Sequence, residues 1–154
     1  MQLNKQTDYA IRVLIYLATA PRSKLCTVAQ MASALDISSN NLAKIVNRFA
    51  AQGLITTVRG RHGGMMINTQ TLDYRMGDLV ASFESDTELA RCEQPACVLS
   101  TQCRWRQILA ASLAHMLEHM NQYRLRDLLH DSDWLEQVLQ LSPLPPQDTS
   151  PAGS

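Results

Sequence analysis

Residues 27–67 constrain the fold most strongly, because they join two short capped helices to a glycine-rich hairpin. Thr27 is placed to cap a helix that ends near residues 35–37. Ser38 or Ser39 is placed to cap the next helix, Asn40–Ala51, which Gly53 terminates. Two short helices joined by a tight turn predict a helix-turn-helix, although an ordinary helical hairpin has the same spacing.

The hairpin distinguishes these two interpretations. Residues 54–58 read as a β-strand, 59–64 as a glycine-rich turn and 65–67 as the returning strand. A basic hairpin directly after a helix-turn-helix is typical of a wing. The predicted fold class is therefore mainly α with a small β-hairpin wing: a winged helix-turn-helix plus a long dimerisation helix.

The rest of the chain extends this unit. A largely buried first helix is predicted over Asn4–Ala18 and a short one over Met76–Phe83. From Arg104 to about His130 apolar residues follow an i, i+3, i+4 stripe, which predicts a helix roughly 40 Å long that a second copy would bury. We divide the chain into a DNA-binding domain (1–83), a cysteine loop (84–103), a dimerisation helix with a C-terminal helix (104–139) and a disordered, Pro- and Ser-rich tail (140–154).

The charge is distributed unevenly along a chain whose formal net charge is zero. Residues 1–67 hold eight basic and two acidic side chains, whereas the remainder holds six and twelve. A basic half beside an acidic half is typical of a protein that meets phosphates with one part only. No secretory signal and no run of roughly 20 apolar residues is present, so we expect a cytoplasmic protein.

Two regions carry side chains suited to DNA. Asparagine can read adenine in the major groove, arginine and lysine reach guanine or phosphate, and arginines at a hairpin tip can enter the minor groove. The predicted DNA-binding residues are Ser38, Ser39, Asn40, Asn41, Lys44, Asn47 and Arg48 on the third helix and Arg59, Arg61 and His62 in the wing.

Three cysteines lie close together in the loop. Cys92, Cys97 and Cys103 form a C-x4-C-x5-C pattern that fits structural zinc poorly, because zinc sites usually show C-x2-4-C pairs and four clear ligands. Iron–sulfur clusters also bind thiolates and accept an unusual fourth ligand. Spacing alone favours iron–sulfur over zinc and leaves both open, with buried thiols or a disulfide third. Cys26 is expected to be a small core residue.

Several segments together resemble the IscR-type winged-helix regulators, and among them the nitric-oxide-sensing repressors of the NsrR type. The resemblance covers about residues 1–130. The matching segments are 1–3, 7–12 (TDYAIR), 41–47 (NLAKIVN), 58–64 (VRGRHGG) and the three cysteines with their four- and five-residue gaps. IscR has a longer first gap and a histidine where this chain has Arg106.

This resemblance implies a homodimeric repressor and not an enzyme. It implies an iron–sulfur cluster, [4Fe–4S] or alternatively [2Fe–2S], held by the three cysteines and by Asp8, which would come from the partner subunit. Nitric oxide would nitrosylate the cluster and release palindromic operator DNA. Arg12 is placed to hold Asp8 through an i, i+4 pair. Alternatives are the same scaffold sensing iron or redox state, an iron–sulfur electron-transfer protein and a zinc-stabilised DNA-binding protein.

Overall fold

The computed structural model describes residues 3–84, 89, 97–99 and 102–141. Cys92 and residues 142–154, for which the sequence predicts cluster ligation and disorder, lie outside the described residues. The helices and strands run in the order α1 Lys5–Thr19, α2 Val28–Leu35, α3 Ser39–Ala51, β1 Ile55–Val58, β2 Gly64–Ile67, α4 Met76–Phe83, α5 Arg104–Met120 and α6 Ser132–Val138, with 3-10 helices at Thr69–Asp73 and Leu125–Leu129.

Local capping explains where the first three helices begin. The Asn4 side chain accepts the backbone N–H of Gln6, and the Ser38 side chain caps α3. Thr27 and Gln30 form a reciprocal capping box at the start of α2. The helix-turn-helix predicted from these residues is therefore confirmed, and the 3-10 helix after β2 is an addition to it.

The core lies between α1, α3 and α4. Leu14 on α1 and Leu42 and Phe49 on α3 are fully buried, and Leu79 on α4 is nearly so. The Phe49 and Phe83 rings meet edge to face, with centroids 5.6 Å apart. This packing fixes one side of α3 against the domain and leaves its other side to solvent.

The wing is a two-stranded antiparallel hairpin in which Ile55 pairs with Ile67 and Val58 with Gly64. Its base is attached to the segment before α2, because Cys26 and Met65 exchange backbone hydrogen bonds of 2.9 and 2.8 Å. A Cβ at Gly64 would lie 2.7 Å from the Cys26 carbonyl oxygen, so this close contact requires glycine. The hairpin predicted from residues 54–67 is confirmed.

The long helix predicted from Arg104 to about His130 is wrong in extent. Helix α5 ends at Met120 after 17 residues, about 25 Å at 1.5 Å per residue. Asn121 ends it by accepting the Asp78 N–H and donating to the Asp78 carboxylate, each at 2.9 Å. The chain then turns, and a backbone bond from Met76 N–H to the Tyr123 carbonyl leads residues 125–129 back onto the winged domain, where Leu125 is fully buried.

Helix α5 keeps its apolar stripe only partly covered. None of its residues is fully buried, and Trp105 and Ile108 are 62% and 45% exposed. Leu109, Leu113 and Met116 are half-buried. Within the described part of the chain, no helix combines the length and apolar character that crossing a membrane requires.

Candidate nucleic-acid interface and metal centre

Helix α3 presents a polar face to solvent. Six of its seven predicted residues are exposed, while Asn41 is half-buried and accepts a 3.4 Å hydrogen bond from the Gln6 amide on α1. The apolar residues between them face the core, where Leu42 and Ile45 are almost fully buried. The face therefore presents amide, hydroxyl and cationic groups together. Its exposed members are Ser38, Ser39, Asn40, Lys44, Asn47 and Arg48.

The Arg48 guanidinium packs against an aromatic ring. The guanidinium carbon lies 4.2 Å from the centroid of the Phe83 ring, within the range of a cation–π contact. No acidic side chain pairs with Arg48 or with Lys44 in the described part of the chain. Both cations are therefore available to an anionic ligand, and Arg48 is held in place for one. No spacing of residues along the chain indicates the contact between Phe83 and Arg48.

The wing tip exposes Arg59, Arg61 and His62. Gly60 has a φ of +116°, which an L side chain rarely adopts, and a Cβ at Gly63 would lie 2.3 Å from the Val58 carbonyl oxygen. These glycines make a narrow turn that places three basic or titratable side chains at its end. Such a tip suits the narrow minor groove or the phosphate backbone.

Two of the three loop cysteines are described, and both are half-buried free thiols. Cys103 is the N-cap of α5, and its sulfur accepts the Arg106 backbone N–H at 3.4 Å. The N-terminus of a helix favours a negatively charged group, so this position suits a thiolate ligand. No group of three metal-binding side chains occurs among the described residues, from which Cys92 is missing.

Asp8 lies in the first turn of α1 and pairs with Arg12, as the i, i+4 spacing predicted. The Asp8 Oδ2 to Arg12 Nη2 distance is 2.8 Å, and both side chains are about half exposed. The described part of one chain does not group Asp8 with Cys97 and Cys103. Asp8 is thus a half-exposed carboxylate that is paired with Arg12 of its own chain.

Sequence reasoning missed Glu84, the first residue after α4. Its Oε1 accepts the Asn4 backbone N–H at 2.8 Å and the Thr7 hydroxyl at 2.6 Å. Thr7 is fully buried, so the carboxylate satisfies a polar group that has no access to water. A lone carboxylate after a short helix carries no sequence pattern that would have revealed these contacts.

Cys26 is 2% exposed and packs in the core, as predicted. Burial raises the pKa of its thiol, and the nearby Lys24 ammonium opposes this to a smaller extent. Burial also raises the pKa of Tyr16, and Cys26 adds to that shift. The thiol is therefore held neutral, unlike a metal-ligating thiolate.

A family model and two relatives match most of the chain. Residues 3–131 match the Rrf2 family, described as an iron-dependent transcriptional regulator. The HTH-type transcriptional regulator NsrR of Halalkalibacterium halodurans is 38% identical over 146 residues, which are 93% of this chain and 100% of that protein. NsrR of Shouchella clausii is 37% identical over 143 residues, 91% and 96% of the two chains.

Solved structures share the fold at lower identity. Staphylococcus aureus CymR has a TM-score of 0.66 at 19% identity and covers 82% of this chain and 97% of its own. T. potens IscR has a TM-score of 0.62 at 18% identity, with 86% and 88% covered. The family match and the full-length relatives show that this chain belongs to the Rrf2 family and is a DNA-binding transcriptional regulator of winged-helix fold, not an enzyme.

Proposed function

We propose that the chain is an iron–sulfur cluster-dependent repressor that binds a near-palindromic operator as a homodimer and leaves it in response to nitric oxide. The observation that carries the proposal is the combination of a cation-bearing polar face on α3 with half-buried thiols at the start of α5. The full-length relatives named NsrR and the cysteine spacing typical of NsrR-type repressors support the nitric oxide signal.

DNA contact is assigned to the polar face of α3 and to the wing. The asparagines at the N-terminal end of α3 would meet base edges in the major groove, where recognition helices make most of their base contacts. Lys44 and Arg48 would bind guanine or phosphate. Arg59, Arg61 and His62 would hold the adjacent backbone or minor groove. Base contacts then give specificity, and phosphate contacts fix the register.

We assign the interface of the homodimer to α5. Its partly exposed apolar stripe, with Trp105 62% exposed, is the surface that a second copy would cover. Two copies related by a two-fold axis present two α3 faces, and half-sites about 34 Å apart would suit one turn of DNA. The palindromic operator follows from this symmetry.

The ligands assigned to the cluster are Cys92, Cys97 and Cys103 with Asp8 of the partner subunit. Half-burial of two thiols and the backbone N–H bond to the Cys103 sulfur fit thiolate ligation. When bound, the cluster, [4Fe–4S] or alternatively [2Fe–2S], supplies iron to which nitric oxide binds. Arg12 holds the Asp8 carboxylate in one orientation. A carboxylate would bind such iron more weakly than a thiolate, so Asp8 of the partner subunit would be the ligand released most readily.

The family's description as iron-dependent favours a second candidate signal on the same scaffold, namely iron supply or cluster status. The DNA surface and the ligands would be unchanged. The two candidates differ in whether the loaded protein responds to nitric oxide at a constant iron concentration.

The test is an absorption, iron and sulfide assay on anaerobically purified protein, followed by titration with nitric oxide and an operator-binding measurement. We expect a brown protein whose visible band bleaches in step with the loss of operator binding. Cys97→Ala should abolish regulated binding and leave the dimer intact, whereas the matched control Cys26→Ala, outside the loop, should keep both. A Cys97→Ala protein that still binds and responds to nitric oxide would refute the proposal.

A coloured protein indifferent to nitric oxide would select the iron or redox sensor. A colourless protein containing zinc would mean that the cysteine loop holds a structural metal. Turnover with a redox partner in the absence of DNA affinity would indicate an electron-transfer protein.

A further inference from the structure

Two consecutive residues at the end of α4 contact two different parts of the DNA-binding domain. Phe83 packs against Phe49 and lies under the Arg48 guanidinium on α3. Glu84 binds the start of α1 through Asn4 and Thr7. Cys92 follows eight residues further along the chain. The point where the chain enters the cysteine loop is therefore attached both to the first helix and to the polar face of α3.

Asn4 caps α1 by accepting the Gln6 backbone N–H, and Glu84 adds the reciprocal bond by accepting the backbone N–H of Asn4. In a capping box the third helical residue is Glu or Gln and accepts the backbone N–H of the N-cap. In α1 the N-cap is Asn4 and the third residue is Thr7, which has no such acceptor. Glu84 takes this role from 80 residues away and also accepts the Thr7 hydroxyl. The first turn of α1 is thus completed by the loop entrance.

The first turn of α1 also contacts α3 and contains Asp8, the proposed cluster ligand. Gln6 donates to Asn41 on α3 at 3.4 Å, Thr7 donates to Glu84, and Asp8 pairs with Arg12. Between α1, α3 and α4 an open groove of about 260 Å³ is lined by Asn4, Gln6, Lys44, Ile45, Arg48 and Phe83. The groove opens one edge of the packing between these helices, and the Gln6–Asn41 and Arg48–Phe83 contacts lie at that edge.

We propose that Glu84 is a positioning residue that transmits the state of the cysteine loop to the polar face of α3. This inference rests on the proposed function. Movement of the loop entrance would pull Glu84 from Thr7 and Asn4, loosen the first turn of α1 and shift Phe83 beneath Arg48. Operator affinity would then depend on the loop through these contacts.

The experiment measures operator affinity for cluster-loaded and cluster-free protein in wild type, Glu84→Ala, Glu84→Gln, Thr7→Val and Thr7→Ser. For wild type we expect a ratio of about tenfold or more, within the usual range of coupling between sites. Glu84→Ala and Thr7→Val should bring the ratio close to one. Glu84→Gln and Thr7→Ser keep the acceptor and the hydroxyl, so they should retain most of it.

Asp127→Ala is the matched control, because Asp127 also accepts a backbone N–H, from Arg124, and makes none of the Glu84 contacts. This variant should keep the wild-type ratio. A Glu84→Ala protein with the wild-type ratio would overturn the inference. So would loss of iron and an altered visible spectrum in both Glu84→Ala and Glu84→Gln, because Glu84 would then act as a ligand.

Hydrogen exchange on the cluster-free proteins separates this inference from the proposed function. If cluster-loaded and cluster-free wild type bind the operator equally well, the proposed function fails. The role of the Glu84 contacts is then tested by hydrogen exchange alone. Glu84→Ala should then speed exchange of the amides of residues 40–48 on α3 as well as those of the first turn of α1, and Asp127→Ala should not. Unchanged exchange on α3 would overturn the inference.

Discussion

Arg48 is the predicted DNA-binding cation that contacts an aromatic ring. Its guanidinium rests on the Phe83 ring at 4.2 Å and pairs with no carboxylate in the part of the chain that is described. We expect Arg48→Met to weaken operator binding about tenfold and to lower the salt slope of binding by about one, as for loss of one phosphate contact. Fluorescence anisotropy at several salt concentrations measures both. Arg126→Met, which removes an arginine already paired with Asp73, is the control and should change neither.

Cys26 leads to a prediction about pH. Its pKa is raised chiefly by burial, so the folded state keeps the thiol protonated where the unfolded chain releases the proton. The free energy of unfolding should therefore fall as the pH rises above about 8.5, the ordinary thiol pKa. Urea unfolding at several pH values measures this, and Cys26→Ala should flatten the decline. An equally steep decline in Cys26→Ala would assign it to other groups, such as Tyr16, whose pKa burial also raises.

At the scale of the elements, Gly77 sets how closely α4 and α5 approach. A Cβ there would lie 2.2 Å from the Leu117 carbonyl oxygen and 2.6 Å from the Asn121 Oδ1. We expect Gly77→Ala to lower the free energy of unfolding by about 1–3 kcal/mol, because the helices must separate. Urea denaturation measures whether the substitution lowers or raises the free energy of unfolding. At a roomy helical site the same change would stabilise by up to about 1 kcal/mol, so a stabilised protein would contradict the close contact.

Some helix ends can be predicted from local sequence, whereas others depend on contacts with distant residues. Caps at Thr27 and Ser38 are local, so α2 and α3 begin where the sequence places them. The end of α5 depends on the contact between Asn121 and Asp78, which lies 43 residues earlier in the chain. The leucines of residues 125–129 continue the helical spacing, so the sequence pattern does not reveal the turn after α5.

The candidate site divides in the same way. The Asp8–Arg12 pair follows from i, i+4 spacing on one helix, and the polar face of α3 follows from its 3.6-residue period. The Glu84 contact with Asn4 spans 80 residues and has no local pattern. The same holds for the Phe83 ring beneath Arg48, since only the packing of α4 on α3 brings them together.

At the scale of the whole molecule, the shorter α5 changes how a dimer is expected to form. The sequence predicted roughly 40 Å of helix for a partner to cover, but residues 125–139 fold back onto their own domain, where Leu125, Leu135 and Leu139 are buried. On α5 the most exposed apolar side chains, Trp105 and Ile108, lie in its first half, next to Cys103, and we expect a second copy to pack there. Dimerisation and the cysteine site would then lie at the same end of this helix.

Ile108→Glu tests this arrangement, because Ile108 is 45% exposed in the single chain and a charge there does not disturb the core. We expect the variant to sediment as a monomer with wild-type helical content, since a buried unpaired carboxylate at a dimer interface is costly. Operator affinity should fall at least about a hundredfold, because a monomer reaches one half-site only. Gln107→Glu, an exposed neighbour, adds the same charge and should remain dimeric. A dimeric Ile108→Glu protein would place the interface elsewhere, and the assignment of Asp8 of the partner subunit to a cluster beside α5 would fail with it.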